Sequence, residues 1–119
     1  MRGIEGEQVL MRIILSESRR HDRVPLFRRL LDVLREEELA GTTVLKGIAG
    51  FSQDGPIHTA MIEVAAQGLP IVLEVVDAQE RIDRVLPKVD ALMSGGVVTV
   101  ERVRVIRYAQ GPRPLASPG

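Results

Sequence analysis

The first pattern in the chain is an alternation of apolar and polar residues over Gln8–Leu15, which predicts a β-strand. One face carries Val9, Met11, Ile13 and Leu15, and the other carries Gln8 and Arg12. Successive side chains of a strand point to opposite sides, so this alternation is typical of a strand with one buried face.

Two later segments repeat apolar residues at helical spacing. The first is Leu26–Ala40, which precedes Gly41, the residue expected to end it in a left-handed conformation. The second begins at Asp77, with Glu80 three residues on as in a capping box. Pro87 lies inside this second segment, where we expect it to kink or restart the helix.

Further strands alternate with these helices. They are predicted at Thr42–Ala49, Ile71–Val76 and Val97–Tyr108, with an extra apolar run at Ile57–Val64. The order strand, helix, strand occurs twice, which predicts an α+β ferredoxin-like sandwich: a split β-α-β, with an antiparallel sheet and two helices on one face. The extra run is either an excursion of the central hairpin or an early part of the third strand. The bare sheet face is apolar, so we expect self-association to cover it.

The last strand changes its apolar phase between Val100 and Val103. A shift of one position moves every following side chain to the other face of the sheet. We therefore expect a β-bulge near Glu101 and Arg102.

The composition predicts one domain and excludes several kinds of site. The 119 residues suffice for a single core, expected over residues 8–109, with a flexible segment 1–7 and a disordered tail 110–119 rich in Pro, Gly and Ser. Lysine plus arginine and aspartate plus glutamate are both 16, so the charge balance does not favour nucleic acid. There is no cysteine and only two histidines, which argues against a metal site. No apolar run approaches the roughly 20 residues of a membrane span, and we expect a cytoplasmic protein with no membrane insertion.

A glycine-rich stretch at the end of the second strand is the first candidate site. Lys46 and Gly47 either hold a phosphate by charge and backbone N–H groups or form a strand end before a turn. Gly95 and Gly96 either bring N–H groups to an anion or cap the second helix.

Basic residues on the last strand are a second candidate. Arg102 and Arg104 share one strand face, and Arg107 follows three residues later. Such a group either contacts phosphate through two parallel hydrogen bonds or protects a strand edge by its charge.

Three runs of residues together resemble the PII-like signalling proteins. They are Val44-Leu45-Lys46-Gly47-Ile48-Ala49-Gly50-Phe51, then Ile57-His58-Thr59-Ala60, then Leu69-Pro70-Ile71-Val72-Leu73-Glu74-Val75-Val76-Asp77. The likeness is to the branch filed as domain of unknown function 190, and it covers about residues 8 to 108. Ser16-Glu17-Ser18 and Pro25-Leu26, at the start of the first helix, are similar to that branch as well.

The resemblance implies a homotrimer with a ferredoxin-like fold that binds an adenine nucleotide, AMP, ADP or ATP, in clefts between subunits. The ligand residues expected from it and from the patterns above are Lys46, Gly47, Gly50, Gly95, Gly96, Arg104 and Arg107. The loop 50–57 would respond to the ligand and dock on a transporter or enzyme through Phe51, Ser52, Gln53, Asp54 and Gly55. A protein of this kind is regulatory, with no catalytic residues and no tightly bound cofactor.

The sequence differs from typical PII proteins at two places, and each difference limits the properties that the resemblance implies. The loop 50–57 has no tyrosine, so the covalent nucleotidylation switch is absent. The Gly-Asp-Gly-Lys phosphate loop is replaced by Gly95-Gly96-Val97, which lacks the lysine. A monophosphate or diphosphate is therefore at least as plausible a ligand as a triphosphate.

Other functions stay open on sequence alone. The main alternative is a generic effector domain that binds a small molecule of the amino-acid type. An acylphosphatase-like enzyme would need an asparagine to orient water, and the chain has none. RNA binding by the sheet would need exposed aromatic residues, of which the strands offer only Tyr108 clearly.

Overall fold

The computed structural model describes residues 3–51, 57–59 and 68–108. Its main elements are β1 (Gly6–Ser16), α1 (Leu26–Glu36), β2 (Thr42–Lys46), β3 (Pro70–Asp77), α2 (Gln79–Leu92) and β4 (Val97–Val105). Two short ladders accompany them: Arg20–His21 pairs with Val24–Pro25, and Ala49–Gly50 pairs with His58–Thr59. No helix in the described ranges is long and apolar enough to cross a membrane.

The four main strands form one antiparallel sheet in the order β2-β3-β1-β4. Each helix connects two strands that are not neighbours, and both helices contribute to one core against the same sheet face. This is the split β-α-β arrangement, so the predicted ferredoxin-like α+β fold is confirmed.

The core lies between that sheet face and the helices. It contains Val9, Met11, Ile13 and Leu15 of β1, Ile71, Leu73 and Val75 of β3, Leu26, Leu30, Val33 and Leu34 of α1, and Ile82, Val85 and Val89 of α2. The alternation seen at Gln8–Leu15 therefore identified the buried face of β1. Full burial of each such side chain contributes roughly 1.5–3 kcal/mol.

Helix α1 ends at Glu36, before the predicted Ala40, and Gly41 is not its left-handed stop. Glu38 takes the left-handed conformation, with φ 59°. The N–H of Leu39 donates to the carbonyl of Leu34 at 3.1 Å, and the N–H of Glu38 donates to that of Arg35 at 3.0 Å. This pair of bonds is a Schellman turn, which closes the helix ahead of the glycine.

Asp77 does not form the predicted capping box with Glu80. Helix α2 begins at Gln79 behind Ala78, and no side chain caps it. The Asp77 carboxylate is buried and accepts the N–H of Ala78 at 2.7 Å and that of Ala40 at 2.9 Å. It therefore ties the end of β3 to the turn before β2. Helix α2 continues through Pro87 without a restart.

Strand β4 has no bulge at Glu101 or Arg102, so that prediction is wrong. Its pairing with β1 is unbroken from Val97 to Val105. The apolar phase changes because β4 carries apolar residues on both faces: Val98 faces the helices, and Val103 faces the other side.

The element bounds also differ from those predicted. Strand β1 begins at Gly6, earlier than the predicted Gln8, and Ile4 is buried. Strands β2 and β4 end at Lys46 and Val105, earlier than expected. The run Ile57–Val64 is described only for 57–59, where residues 58–59 form the short ladder with 49–50. The remaining part of that run, the loop tip Ser52–Gly55 and the tail 110–119 lie outside the described residues.

Candidate functional site

Gly47 and Gly50 form a notch around Pro70, at the end of β2. The N–H of Gly47 donates to the carbonyl of Pro70 at 2.7 Å. A Cβ at Gly47 would lie 2.5 Å from Cγ of Pro70, and one at Gly50 would lie 3.0 Å from the same atom. The close approach of the chain to Pro70 therefore excludes a Cβ at Gly47 and disfavours one at Gly50.

Lys46 stands beside this notch and is joined to the loop that follows β1. Its Nζ lies 3.1 Å from Oε2 of Glu17. The backbone of Glu17 is held in turn, because its N–H donates to the carbonyl of Leu69 at 2.9 Å. The loop is closed further by the two hydroxyls of Ser16 and Ser18, which are 2.8 Å apart. The cation is thus placed by ordered neighbours at the start of β3.

The glycine pair before β4 packs against the end of β1. Helix α2 is capped by Met93, so Gly95 and Gly96 are not its C-cap. Gly96 has φ +96°, and a Cβ there would lie 2.5 Å from the carbonyl oxygen of Ile14. Gly95 has φ +154°, and its Cβ would lie 3.0 Å from Nη2 of Arg19. Backbone conformation disfavours a Cβ at both positions, and at Gly96 close packing against the sheet disfavours it as well.

These segments all lie at one end of the sheet. In the register, Lys46 pairs with Ile71, Ile71 with Leu15, and Ile14 with Val97. The end of β1, the end of β2 and the start of β4 therefore meet there, and we call Ser16–Arg19, Lys46–Gly50 and Gly95–Gly96 the glycine end. Strands β2 and β4 are three steps apart, which separates Lys46 from Gly96 by roughly 14 Å across the sheet.

The two candidate arginines lie at the opposite end. Arg104 pairs with Glu7, near the start of β1, and Arg107 follows the end of β4. Strand β4 rises about 3.4 Å per residue, so Gly96 and Arg104 are roughly 27 Å apart along it. One chain therefore brings Lys46, Gly47, Gly50, Gly95 and Gly96 to one end but does not bring Arg104 or Arg107 to them.

The sheet face away from the helices is largely apolar, and we call it the open sheet face. It carries Leu10, Ile14, Leu45, Val72, Val76, Val97, Val103 and Val105. At its centre Nε of Arg12 lies 2.6 Å from Glu74 and its Nη1 lies 2.8 Å from Glu101. The hydrogen bonds to Glu74 and then Glu101 raise the pKa of Arg12, so its guanidinium stays charged at any usual pH.

Large apolar side chains flank the loop at the glycine end. Ile48, Phe51 and Ile57 are 77, 73 and 71% exposed. Side chains of this size are usually buried, and a group of them beside one loop is typical of an interaction site. Of the expected docking residues, Phe51 is described and exposed. Ser52, Gln53, Asp54 and Gly55 lie outside the described residues.

Sequence reasoning missed two side chains of the glycine end. Glu17 contacts Lys46, and Arg19 lies against Gly95. Both come from a polar loop whose composition resembles any solvated turn, so only the fold reveals them. In the described ranges, no group of three or more His, Cys, Asp or Glu residues is arranged to hold a metal ion.

Comparison with solved structures defines the class of the fold. The structure of CPII from Thiomonas intermedia K12, a nitrogen regulatory PII-like protein bound to ADP, AMP and bicarbonate, matches with a TM-score of 0.61. The match has 17% sequence identity and covers 83% of this chain and 94% of that one. A putative PII-like signalling protein of Thermus thermophilus matches with a TM-score of 0.63 at 18% identity, over 84% and 90% of the two chains. The chain therefore has the PII-like fold.

Sequence comparison identifies the family. The model of domain of unknown function 190, described as an uncharacterized ACR, matches residues 8–105, so the chain belongs to that family. A UPF0166 protein of Aquifex aeolicus (strain VF5) is 33% identical over 97 residues, which cover 82% of this chain and 91% of that protein. A UPF0166 protein of Methanocaldococcus jannaschii is 27% identical over 99 residues, with the same coverage. The resemblance seen in the sequence is confirmed.

Proposed function

We propose that this protein is a cytoplasmic signalling protein, a homotrimer that binds an adenine nucleotide in the clefts between its subunits. The observation that carries the proposal is the glycine end, where two glycine turns lie at the same end of the sheet as the cations Lys46 and Arg19. Positive charge next to closely approaching backbone is the chemistry that recognises phosphate. A solved protein of the same fold is bound to ADP, AMP and bicarbonate, which supports an adenine nucleotide as a ligand.

The distribution of the candidate ligand residues supports a site between subunits. Arg104 and Arg107 lie roughly 27 Å or more from the glycine turns of their own chain, along β4. A second copy would bring its own arginines to the glycine end of the first. Phosphate would then be held by the Lys46 side chain and the Gly95-Gly96 turn of one subunit and by the arginines of the next, while Gly47, whose N–H is donated to Pro70, would shape the base of the loop.

The open sheet face supports assembly. At its centre Arg12 already forms ion pairs with Glu74 and Glu101. Burial of the face therefore need not leave either carboxylate without a partner. The surrounding apolar side chains include Leu45 and Val97, which are 46 and 54% exposed in the single chain. Burial of such side chains is the main driving force for association.

In this proposal the loop 50–57 transmits the signal to a partner protein. It leaves the notch at Gly47 and Gly50, so a ligand on Lys46 contacts the base of the loop. A ligand shifts such a loop only as far as it binds one loop state more tightly than another. The exposed Ile48, Phe51 and Ile57 would then meet a partner protein, a transporter or an enzyme, through an apolar surface. This role is regulatory and needs no catalytic residue.

The experiment is a thermal unfolding series with AMP, ADP, ATP, cyclic dinucleotides and a panel of amino acids. A ligand that binds the folded state raises Tm as its concentration increases. We expect AMP or ADP to raise Tm. No shift with any nucleotide at millimolar concentration contradicts the proposal, and a shift with amino acids alone favours the effector-domain alternative.

A further inference from the structure

Arg19 is held in place by its own backbone. Its N–H donates to the carbonyl of Ser16 at 3.1 Å, and its carbonyl accepts the N–H of Leu26 at 2.8 Å. The next residue, Arg20, pairs with Pro25 in a short ladder. The base of the Arg19 side chain is therefore fixed between β1 and α1, although the side chain itself is exposed.

The guanidinium of Arg19 lies flat against Gly95. An ideal Cβ on Gly95 would be 3.0 Å from Nη2, 3.1 Å from Cζ and 3.4 Å from Nε. Three atoms of the planar group at similar distances indicate that its face, rather than its edge, meets the glycine. A guanidinium donates its hydrogen bonds in its plane, so this packing leaves its N–H donors directed sideways along the turn.

No carboxylate occupies those donors among the described residues. Within that part of the chain, the Arg19 guanidinium has no ion pair or side-chain hydrogen bond. The acid nearest in sequence, Glu17, is engaged with Lys46 at 3.1 Å. The Arg19 guanidinium therefore packs on the turn without being neutralised by a described residue, so its donors are open to a charge-assisted hydrogen bond with an anion.

The position of Arg19 compensates for a basic residue that the sequence of the turn lacks. The turn Gly95-Gly96-Val97 carries no lysine of its own. The structure supplies a cation to the same turn from the loop after β1. Arginine also differs from lysine in kind, because its planar fork contacts two phosphate oxygens at once.

We infer that Arg19 contacts a phosphoryl group of the ligand at the Gly95-Gly96 turn and provides the charge that the turn lacks. The inference rests on the proposed function for the identity of the ligand, a nucleotide. The recognition of a phosphoryl group by Arg19 is inferred from the geometry alone. Loss of Arg19 removes a charge-assisted contact and leaves the fold unchanged, since the side chain is exposed and pairs with nothing in the described residues.

The test is calorimetric titration of the full chain with ADP and with inorganic pyrophosphate. The variants are Arg19→Gln and, as the matched control in the same loop, Arg20→Gln. We expect Arg19→Gln to weaken both ligands by about tenfold or more, with circular dichroism and Tm unchanged. Arg20→Gln should change either affinity by less than about threefold. The Arg20 side chain instead donates to the carbonyl of Arg23 at 3.3 Å.

The outcomes separate this inference from the proposed function. Binding of pyrophosphate that depends on Arg19, with no binding of ADP, AMP or ATP, sustains the Arg19 assignment and removes the nucleotide. Unchanged ADP and pyrophosphate affinities in Arg19→Gln overturn the assignment and leave nucleotide sensing intact. Equal losses of affinity in the Arg19 and Arg20 variants also overturn it, because they indicate that the overall positive charge of the loop, and not Arg19 in particular, attracts the ligand. If the unmodified protein binds neither ligand, both fail.

Discussion

The ammonium of Lys46 and the carboxylate of Glu17 lie 3.1 Å apart and join the end of β2 to the loop after β1. The pair is unequal in exposure, since Lys46 is 51% exposed and Glu17 only 20%. A phosphate that approaches Lys46 therefore meets a cation already shared with an acid. Glu17 holds the lysine in position in the free protein and would compete with a phosphate ligand for it.

Replacement of Lys46 by glutamine should weaken ADP binding by about tenfold, because a charge-assisted phosphate contact is lost. Stability should change by less than about 1 kcal/mol, since an ion pair with a half-exposed lysine contributes little. Titration calorimetry and urea unfolding measure the two effects. Lys88→Gln is the matched control, because Lys88 forms a similar ion pair with Glu37 at 2.9 Å, away from the glycine end. Equal ADP affinities in the two variants would remove Lys46 from the site.

Replacement of Glu17 by glutamine should have the opposite effect and tighten ADP binding severalfold. The neutral side chain releases Lys46 and removes a negative charge from the neighbourhood of the phosphate. The gain should shrink as salt concentration rises, because exposed charges are screened. Glu37→Gln, which breaks the control pair on the helices, should leave ADP affinity unchanged. Weaker binding in Glu17→Gln would contradict the competition and show that positioning of the lysine by the carboxylate matters more to the ligand.

Substitution of Gly96 by alanine should destabilise the fold by about 1–3 kcal/mol, since a positive φ strains any residue with a Cβ. The new Cβ would also lie 2.5 Å from the carbonyl oxygen of Ile14, which belongs to the sheet and cannot retreat freely. Gly41→Ala is the control, because no atom lies within 4 Å of a Cβ at that position. Chemical denaturation of both variants measures the difference. Similar unfolding midpoints would mean that the turn before β4 has another conformation.

Introduction of a charge on the open sheet face should dissociate the proposed trimer. Val103→Asp places a carboxylate among apolar side chains that a neighbouring copy would bury, and an unpaired buried charge is strongly unfavourable. Ala91→Asp, on an exposed position of α2, is the control and should keep the mass of the unmodified protein. Light scattering measures both masses. A Val103→Asp protein that retains the full oligomer would place the interface elsewhere.

The patterns that predicted the fold were those with a regular period. Alternation at Gln8–Leu15 identified the buried side of β1 because a strand has only two faces. Helical spacing identified the apolar stripes of α1 and α2 in the same way. The topology followed from the order of elements, which allows few arrangements of two β-α-β units.

The predictions that were wrong or missing concern details that depend on contacts between distant parts of the chain. Asp77 has the sequence context of a helix cap, but its carboxylate instead accepts a hydrogen bond from the N–H of Ala40. Glu38 closes α1 in a conformation that its residue type does not indicate. Arg19 belongs to the candidate site only because the fold brings the loop after β1 to the turn before β4. No local pattern encodes such a contact.

Native mass spectrometry with ADP tests the central claim most directly, because it counts subunits and bound nucleotides in the same particle. A nucleotide site between subunits predicts a trimer that takes up to three ADP molecules, while any dissociated single chain takes none. The Val103→Asp protein should lose both the trimer and the bound nucleotide. ADP bound equally well by a single chain, or a trimer that carries no nucleotide at millimolar ADP, would contradict the account.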